Sequence, residues 1–256
     1  MLAGDISATD SDVPAMLNLG VSGVVDLKII AITINRLEHS FVVRSAIKTT
    51  EDLKGKRIAI SRFGSASDIT TRLVLRFWKL NPDKDLAIIQ SGNTPTRIAA
   101  LVGGHVDAGL VSPTELHKVL ASGCCRALAD LSELPLDYAR FGVVTPTSLL
   151  RTQRETFRKL LQGYIDGIHA FRNRPEIAMA VLREGGIREP QVARDVYQRV
   201  ASSLREYPVP ELKGVQAVVD SLMNPKARGA QAKDFIDTSL IEEIKKSGYI
   251  DRLYGR

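Results

Sequence analysis

The sequence predicts an α/β protein with largely parallel sheets, and three observations lead there. Short runs of apolar and β-branched residues alternate with helix-period segments from about residue 5 to residue 145. Turns at Ser65, Thr94 and Ser112 each follow such a run, and each opens a helix. From Thr152 the texture is helical, as in a layer packed outside a sheet.

In chain order, Asp5-Ile6-Ser7-Ala8-Thr9 reads as a short strand, and Asp10 or Ser11 caps a helix that stops at Gly20. Asp26 to Ile34 is an apolar run suited to a strand covered on both faces, and Ser40 to Arg44 is another strand. A short capped turn over Thr50–Gly55 leads into the strand Arg57–Ser61. The next helix runs to about Leu80 with Ile69, Leu73, Phe77 and Leu80 on its core face and Val74 and Trp78 beside it. Leu86 to Gln90 reads as a buried strand, and Thr94 then caps a helix with Pro95 in its first turn. Asp107–Val111 is a strand, and Ser112-Pro113-Thr114-Glu115 has the spacing of a capping box. Strands over Arg126–Leu131 and Arg140–Thr145 follow. Five helices then succeed one another: from the capping box Thr152-Gln153-Arg154-Glu155, over Pro175–Leu182, over Gln191–Arg205, over Val215–Met223, and from Ser239 to Gly248.

The chain has 256 residues, 44% hydrophobic and 25% charged, an ordinary composition for a globular protein able to bury a real core. A net charge of +6 and a pI near 9.4 raise the question of nucleic acid. The basic residues are dispersed along helices and interleaved with acids such as Glu155, Asp166, Glu176 and Glu184, which assigns them to solvated faces. Aromatics at 5% supply no stacking series for single strands, so no nucleic-acid partner is expected. Cys124 and Cys125 are neighbours and cannot join distant segments. No segment is long and apolar enough to span a bilayer.

The most suggestive stretch is Phe63-Gly64-Ser65-Ala66-Ser67-Asp68-Ile69, a strand–turn–helix junction. The first amides of a helix lack intrahelical acceptors, and the aligned peptide dipoles place partial positive charge at the same end. Such a junction cradles anions or polar groups. Gly64 permits close backbone approach, Ser65 and Ser67 offer short hydroxyls, and Ala66 leaves room between them. The plainer alternative is that Ser65 or Ser67 only caps a structural helix. If the strands ahead of Ser65, Thr94 and Ser112 share one sheet, all three turns lie at its carboxyl edge, where ligands of α/β folds bind.

Catalytic motifs are lacking. His39, His105, His117 and His169 are scattered without metal-ligand spacing, and there is neither a phosphate-binding loop nor a dinucleotide glycine fingerprint. Asp68 and Asp107 have sufficient structural explanations, and two adjacent cysteines without a placed histidine make a poor nucleophile signature. The expectation is no enzyme, no metal and no cofactor.

A series of short motifs carries a resemblance to a known family. In order they are Gly4-Asp5-Ile6, Asp52-Leu53-Lys54-Gly55-Lys56-Arg57-Ile58-Ala59, Gly64-Ser65-Ala66-Ser67-Asp68, Asn81-Pro82-Asp83-Lys84-Asp85, Arg97-Ile98-Ala99-Ala100-Leu101, Gly104-His105-Val106-Asp107-Ala108, Leu128-Ala129-Asp130-Leu131 and Gly248-Tyr249-Ile250-Asp251-Arg252-Leu253-Tyr254. Together they resemble the substrate-binding proteins of nitrate-, sulfonate- and taurine-type ABC importers, which share a family with the thiamine-pyrimidine synthases. The resemblance implies a type II periplasmic-binding-protein fold: two α/β lobes joined by crossover strands near Phe41–Arg44 and Phe141–Thr145, with ligand between the lobes. Residues 1–45 with 140–256 would form lobe 1, and 46–139 lobe 2.

By the same resemblance, a small anionic or polar organic ligand would meet Gly64, Ser65, Ala66, Ser67, Thr94 and Ser112 in one lobe and Thr9 and Asp10 in the other. The partner would be an ABC permease, the only link to a membrane, and the location periplasmic or otherwise extracytoplasmic. Family members carry a signal sequence and further strands ahead of the Gly-Asp-Ile motif. The expectation is therefore a first lobe lacking its usual N-terminal strands, either as a fragment or misassigned start, or as a shortened relative completed by a partner. Two other readings stay open: a thiamine-pyrimidine-type enzyme, whose cysteine cluster Cys124-Cys125 does not reproduce, and the ligand-sensing domain of a transcription regulator.

Overall fold

Eight strands in two sheets organise the computed structural model, which describes residues 6–256. The chain divides into two units, one of the residues up to Arg36 together with Asp137–Arg256, the other of Leu37–Leu136. The first boundary falls ahead of the expected 45/46 because Ser40–Arg44 is an inner strand of the second unit's sheet; the other falls at 136/137 against the expected 139/140. Each unit is an α/β layer structure with its own core.

The first unit holds β1 (Thr9–Asp12), β2 (Leu27–Ile34) and β8 (Phe141–Pro146) in the order β1-β8-β2, with β8 antiparallel to both neighbours. β1 begins at Thr9, later than the expected strand from Asp5, a residue outside those described. Thr9 to Asp12 are the residues that pair with Val144 to Phe141. The first helix, α1 (Val13–Val21), consequently starts after Asp12 and not after Asp10 or Ser11. Arg140, nine-tenths buried, pairs with Asp12 at this entry and stacks on Phe141, and burial lowers its pKa to about 10.

β2 carries register shifts where it meets β8, and this bulge explains Gly142. A Cβ at Gly142 would run into the carbonyl oxygen of Ala31, so only glycine lets the two backbones approach. The outer edge of β2 is closed by the chain itself: Ile29 donates to Phe235 O (2.8 Å), Asp237 donates to Ile29 O (3.0 Å) and Ile32 donates to Pro208 O (2.8 Å). Ile30, Ala31 and Val143 form the core with Leu150, Phe157, Leu161 and Ile165, and with Leu240, Ile241 and Ile244. Those side chains come from α5 (Thr147–Thr152), α6 (Arg154–Asn173) and α10 (Ser239–Lys246). The helices α7 (Pro175–Glu184), α8 (Pro190–Ser203), α9 (Leu212–Ser221) and α11 (Tyr249–Leu253) complete the expected helical layer.

The second unit has β3 (Ser40–Arg44), β4 (Arg57–Ile60), β5 (Ala87–Gln90), β6 (Ala108–Val111) and β7 (Cys125–Asp130) in the order β5-β4-β6-β3-β7. β4 is parallel to β5 and β6, whereas β3 runs antiparallel to β6 and β7. The expectation of largely parallel sheets therefore holds for the β5-β4-β6 half alone. The strands that run against their neighbours, β3 and β8, are the two expected as crossovers. β5 is exposed, not buried as its apolar sequence suggests, because it is an edge strand paired only with β4.

The helices α2 (Ala66–Phe77), α3 (Thr94–Val102) and α4 (Pro113–Ala121) follow β4, β5 and β6. Val42, Ala59 and Val111 pack under Leu101, Val106 and Val119. Of the expected core face Ile69 and Leu80 are buried, with Val74 beside them and Leu75 as well, while Phe77 is 40% exposed. Asp68 and Arg72 occupy the inner face of α2, with Arg72 Nε donating to Asp68 Oδ1 at 2.7 Å and its Nη1 donating to Asp83 Oδ1 at 2.6 Å.

Candidate functional site

Because β5, β4 and β6 are adjacent and parallel, the turns after them gather at one end of the second unit's sheet. The turn after β4 is Ser61–Ser65, that after β5 is Ser91–Asn93, and that after β6 is Ser112. Two main-chain bonds tie the first pair together, Ser91 N to Ile60 O (2.8 Å) and Gly92 N to Ser61 O (3.1 Å). Phe63 N also donates to Gln90 Oε1 at 2.9 Å.

The hydroxyls at the first turn form a chain. Ser67 Oγ accepts from Ser61 N (2.9 Å), donates to Ser61 Oγ (3.1 Å) and lies 3.0 Å from Ser65 Oγ. Neither serine caps α2 through its side chain, so the plain capping alternative is not what this turn does. The role of closing the turn falls to Asp68, whose Oδ2 accepts from Gly64 N at 2.8 Å. Gly64 has φ +75, the left-handed region that favours glycine. Its amide is engaged, which leaves the first-turn amides of Ala66 and Ser67 without a main-chain acceptor.

At the second turn the cap is Asn93, not Thr94: its Oδ1 accepts from Thr96 N at 3.1 Å and from Thr96 Oγ1 at 2.8 Å. Thr94 is thereby free for another partner, Arg97. Arg97 Nη2 donates to Thr94 Oγ1 (3.2 Å), and Nη1 donates to Ser61 Oγ (2.6 Å) and Gly92 O (3.4 Å). Arg97 is 7% exposed, its Nε has no partner, and no carboxylate pairs with it among the described residues. Burial lowers its pKa, and a buried cation without a counterion costs of order several kcal/mol. Nearby His39 feels the same charge. Desolvation first and Arg97 second hold its imidazole down to about 4, with Nδ1 buried and unpartnered.

Ser65, Ser67 and Thr94 thus meet in one network through Ser61 and Arg97, two residues not among the expected site residues. Their signal was present in the sequence: Ser61 ends the strand before the Gly64 turn, and Arg97 lies one helical turn after Thr94. Ser112 sits at the same sheet edge but bonds Thr114 Oγ1 (2.9 Å), and Glu115 N reaches the Ser112 carbonyl instead of its hydroxyl, so the expected capping box does not form.

Thr9 and Asp10 belong to the first unit. Thr9 Oγ1 makes a long contact with Asp10 O (3.4 Å), and Asp10 Oδ1 accepts from Thr33 Oγ1 at 3.3 Å. Asp10 lines an apolar groove of about 780 Å³ with Ile34, Phe141, Leu160, Tyr164 and Phe171. Desolvation raises its carboxyl pKa, partly offset by Thr33. Gly163 and Gly167 of α6 form part of the wall, and a Cβ at either meets nothing within 4 Å.

Among the described residues no cluster of three or more metal-ligating side chains occurs, and no helix is long and apolar enough to cross a membrane.

Residues 21–178 match the model of the family described as NMT1/THI5 like. The chain belongs to this family. Among curated proteins none matches the chain. Solved structures match the family member over nearly its whole length. It is similar to a putative periplasmic sulfonate-binding protein of an ABC transporter from Methylobacillus flagellatus KT, at TM-score 0.75 and 19% identity over 97% of this chain and 77% of that one. It is similar to the alkanesulfonate-binding protein from Xanthomonas axonopodis pv. citri bound to MOPS, at TM-score 0.73 and 20% identity over 92% and 82%. The periplasmic nitrate-binding protein from Synechocystis PCC 6803 matches at TM-score 0.74 and 12% identity over 96% and 75%. At these identities the likenesses establish the periplasmic-binding-protein fold for the family member.

Proposed function

We propose that this protein is the solute-binding component of an ABC importer, capturing a small anionic or polar organic molecule for a membrane permease in an extracytoplasmic compartment, and that it is not an enzyme. The observation that carries the anionic part is Arg97. A guanidinium buried at the carboxyl edge of a sheet, hydrogen-bonded only to neutral oxygens and with Nε unused, is a cation awaiting a counterion. The amides of Ala66 and Ser67 and the Thr94 hydroxyl add neutral donors around the same place, beside the linked hydroxyls of Ser65 and Ser67. Gly64 shapes the turn, and Ser112 stands on the adjoining turn.

Support for the transport role comes from the fold shared with sulfonate- and nitrate-binding proteins of importers. The proposal requires no bond-making residue. Isothermal titration with taurine, methanesulfonate and nitrate, against neutral dimethyl sulfone, tests it. One anion should bind one to one, the sulfone should not, and Ser65→Ala with Ser67→Ala should abolish the heat. Equal binding of the sulfone, or full affinity in the double variant, would overturn the assignment.

A further inference from the structure

At the opposite end of the second unit's sheet the chain places two thiols side by side. β3 runs from Ser40, paired with Val111 beside the Ser112 turn, to Arg44, paired with Cys125. The cysteines therefore stand a full strand length from the proposed anion site. Successive side chains along an extended strand point to opposite faces, so two neighbouring cysteines in a sheet normally diverge. Here β7 begins only at Cys125, and Cys124 is still in the turn that leaves α4 through Gly123 at φ +70. That change of direction brings Cys124 Sγ to 2.9 Å from Cys125 Sγ, with both thiols free.

The pair is held in place. Ser45 N donates to Cys124 O (2.9 Å), Ser45 Oγ donates to Gly123 O (3.3 Å), and Ser122 Oγ lies 3.0 Å from Cys124 Sγ. Cys124 is partly exposed, while Cys125 is packed against the core of Val42, Ala59 and Val119. One sulfur is thus open to reagents, and the second waits directly behind it. The hydrogen bonds from Cys125 and Ser122 lower the Cys124 pKa, helped by Arg44, whereas burial pushes Cys125 up to about 12. The thiol that attacks first is the accessible one.

We propose that Cys124 and Cys125 form a chelating dithiol site for thiophilic electrophiles of the trivalent-arsenic class. The reaction is a ligand exchange without change of oxidation state. Each sulfur forms one bond to arsenic and loses its proton, and the arsenical's oxygen leaves as water with those two protons. Closure of the second bond is intramolecular, which makes it far more favourable than capture by two separate thiols.

The test is titration of the reduced, folded chain with phenylarsine oxide, followed by intact-mass spectrometry. One adduct per chain is expected, reversed by a small dithiol and resistant to an equal concentration of monothiol. Cys124→Ser and Cys125→Ser should each weaken capture about a hundredfold, with circular dichroism and Arg97-dependent anion binding unchanged as controls of folding. Absence of an adduct, capture only after unfolding in urea, or undiminished capture by Cys124→Ser would overturn the proposal.

Discussion

Arg97 Nη1 donates to Ser61 Oγ at 2.6 Å, joining the first turn of α3 to the end of β4 across 36 residues of chain. The bond fixes a cation where two strand–helix junctions meet, and it does so without neutralising the charge. Ser61 in turn orders Ser67, so one guanidinium organises the hydroxyls of both turns.

Replacing this cation separates binding from stability. Arg97→Leu should reduce affinity for the anionic ligand at least about a hundredfold, as expected when one member of a buried charge pair is removed. Without ligand the same variant should unfold at the same or higher denaturant concentration, because an unpaired buried charge is exchanged for an apolar side chain. Urea melts with and without ligand measure both effects; a large loss of stability in the free protein would contradict this account of Arg97.

His39 predicts a pH dependence of stability. Its pKa falls from 6.5 in the unfolded chain to about 4 in the folded one, through burial first and the Arg97 charge second. Between those values the unfolded chain binds the proton that the folded chain refuses. Stability therefore rises with pH across this window and falls as pH drops through it, by at most roughly 3 kcal/mol. His39→Gln should flatten that part of the curve in urea melts from pH 4 to 7. An unchanged slope in the variant would assign the dependence elsewhere.

Asp68 was legible as a first-turn aspartate, but its work is to close the Gly64 turn and to pair with Arg72. Asp68→Ala leaves Arg72 buried with only Asp83, and should cost about 3–5 kcal/mol. Hydrogen exchange should accelerate most at Gly64, whose amide loses its acceptor.

Two glycine positions should respond in opposite directions to alanine. Gly142→Ala drives a Cβ into the Ala31 carbonyl oxygen, so it should destabilise by about 1–3 kcal/mol. Gly163→Ala, mid-helix with open space around it, should stabilise by about 1 kcal/mol. Thermal melts of the two variants give the comparison.

The alternation of elements and the shared edge of three turns were readable because strand–turn–helix junctions announce themselves through local residues: Gly64, Pro95 and Pro113. The family resemblance rested on a series of short motifs that includes the Gly64 junction, and the fold agrees with it. What the sequence hid was set by pairing over distance. β5 looks buried by composition, yet only sheet order shows it to be an edge. The antiparallel course of β3 and β8 has no local signal. Thr94 reads as a cap until Asn93 is seen to cap in its place, and Arg97 reads as one more helix-face arginine until its burial against Ser61 appears.

The central claim is that the Arg97 guanidinium supplies the uncompensated positive charge that holds an anionic guest, and its Nε–H resonance reports on that group alone. In a proton–nitrogen correlation spectrum, titration with the anion that binds by calorimetry should shift the Arg97 Nε–H signal saturably, in step with the heat. A signal that stays put while the anion binds would place the guest elsewhere and remove the basis of the proposal.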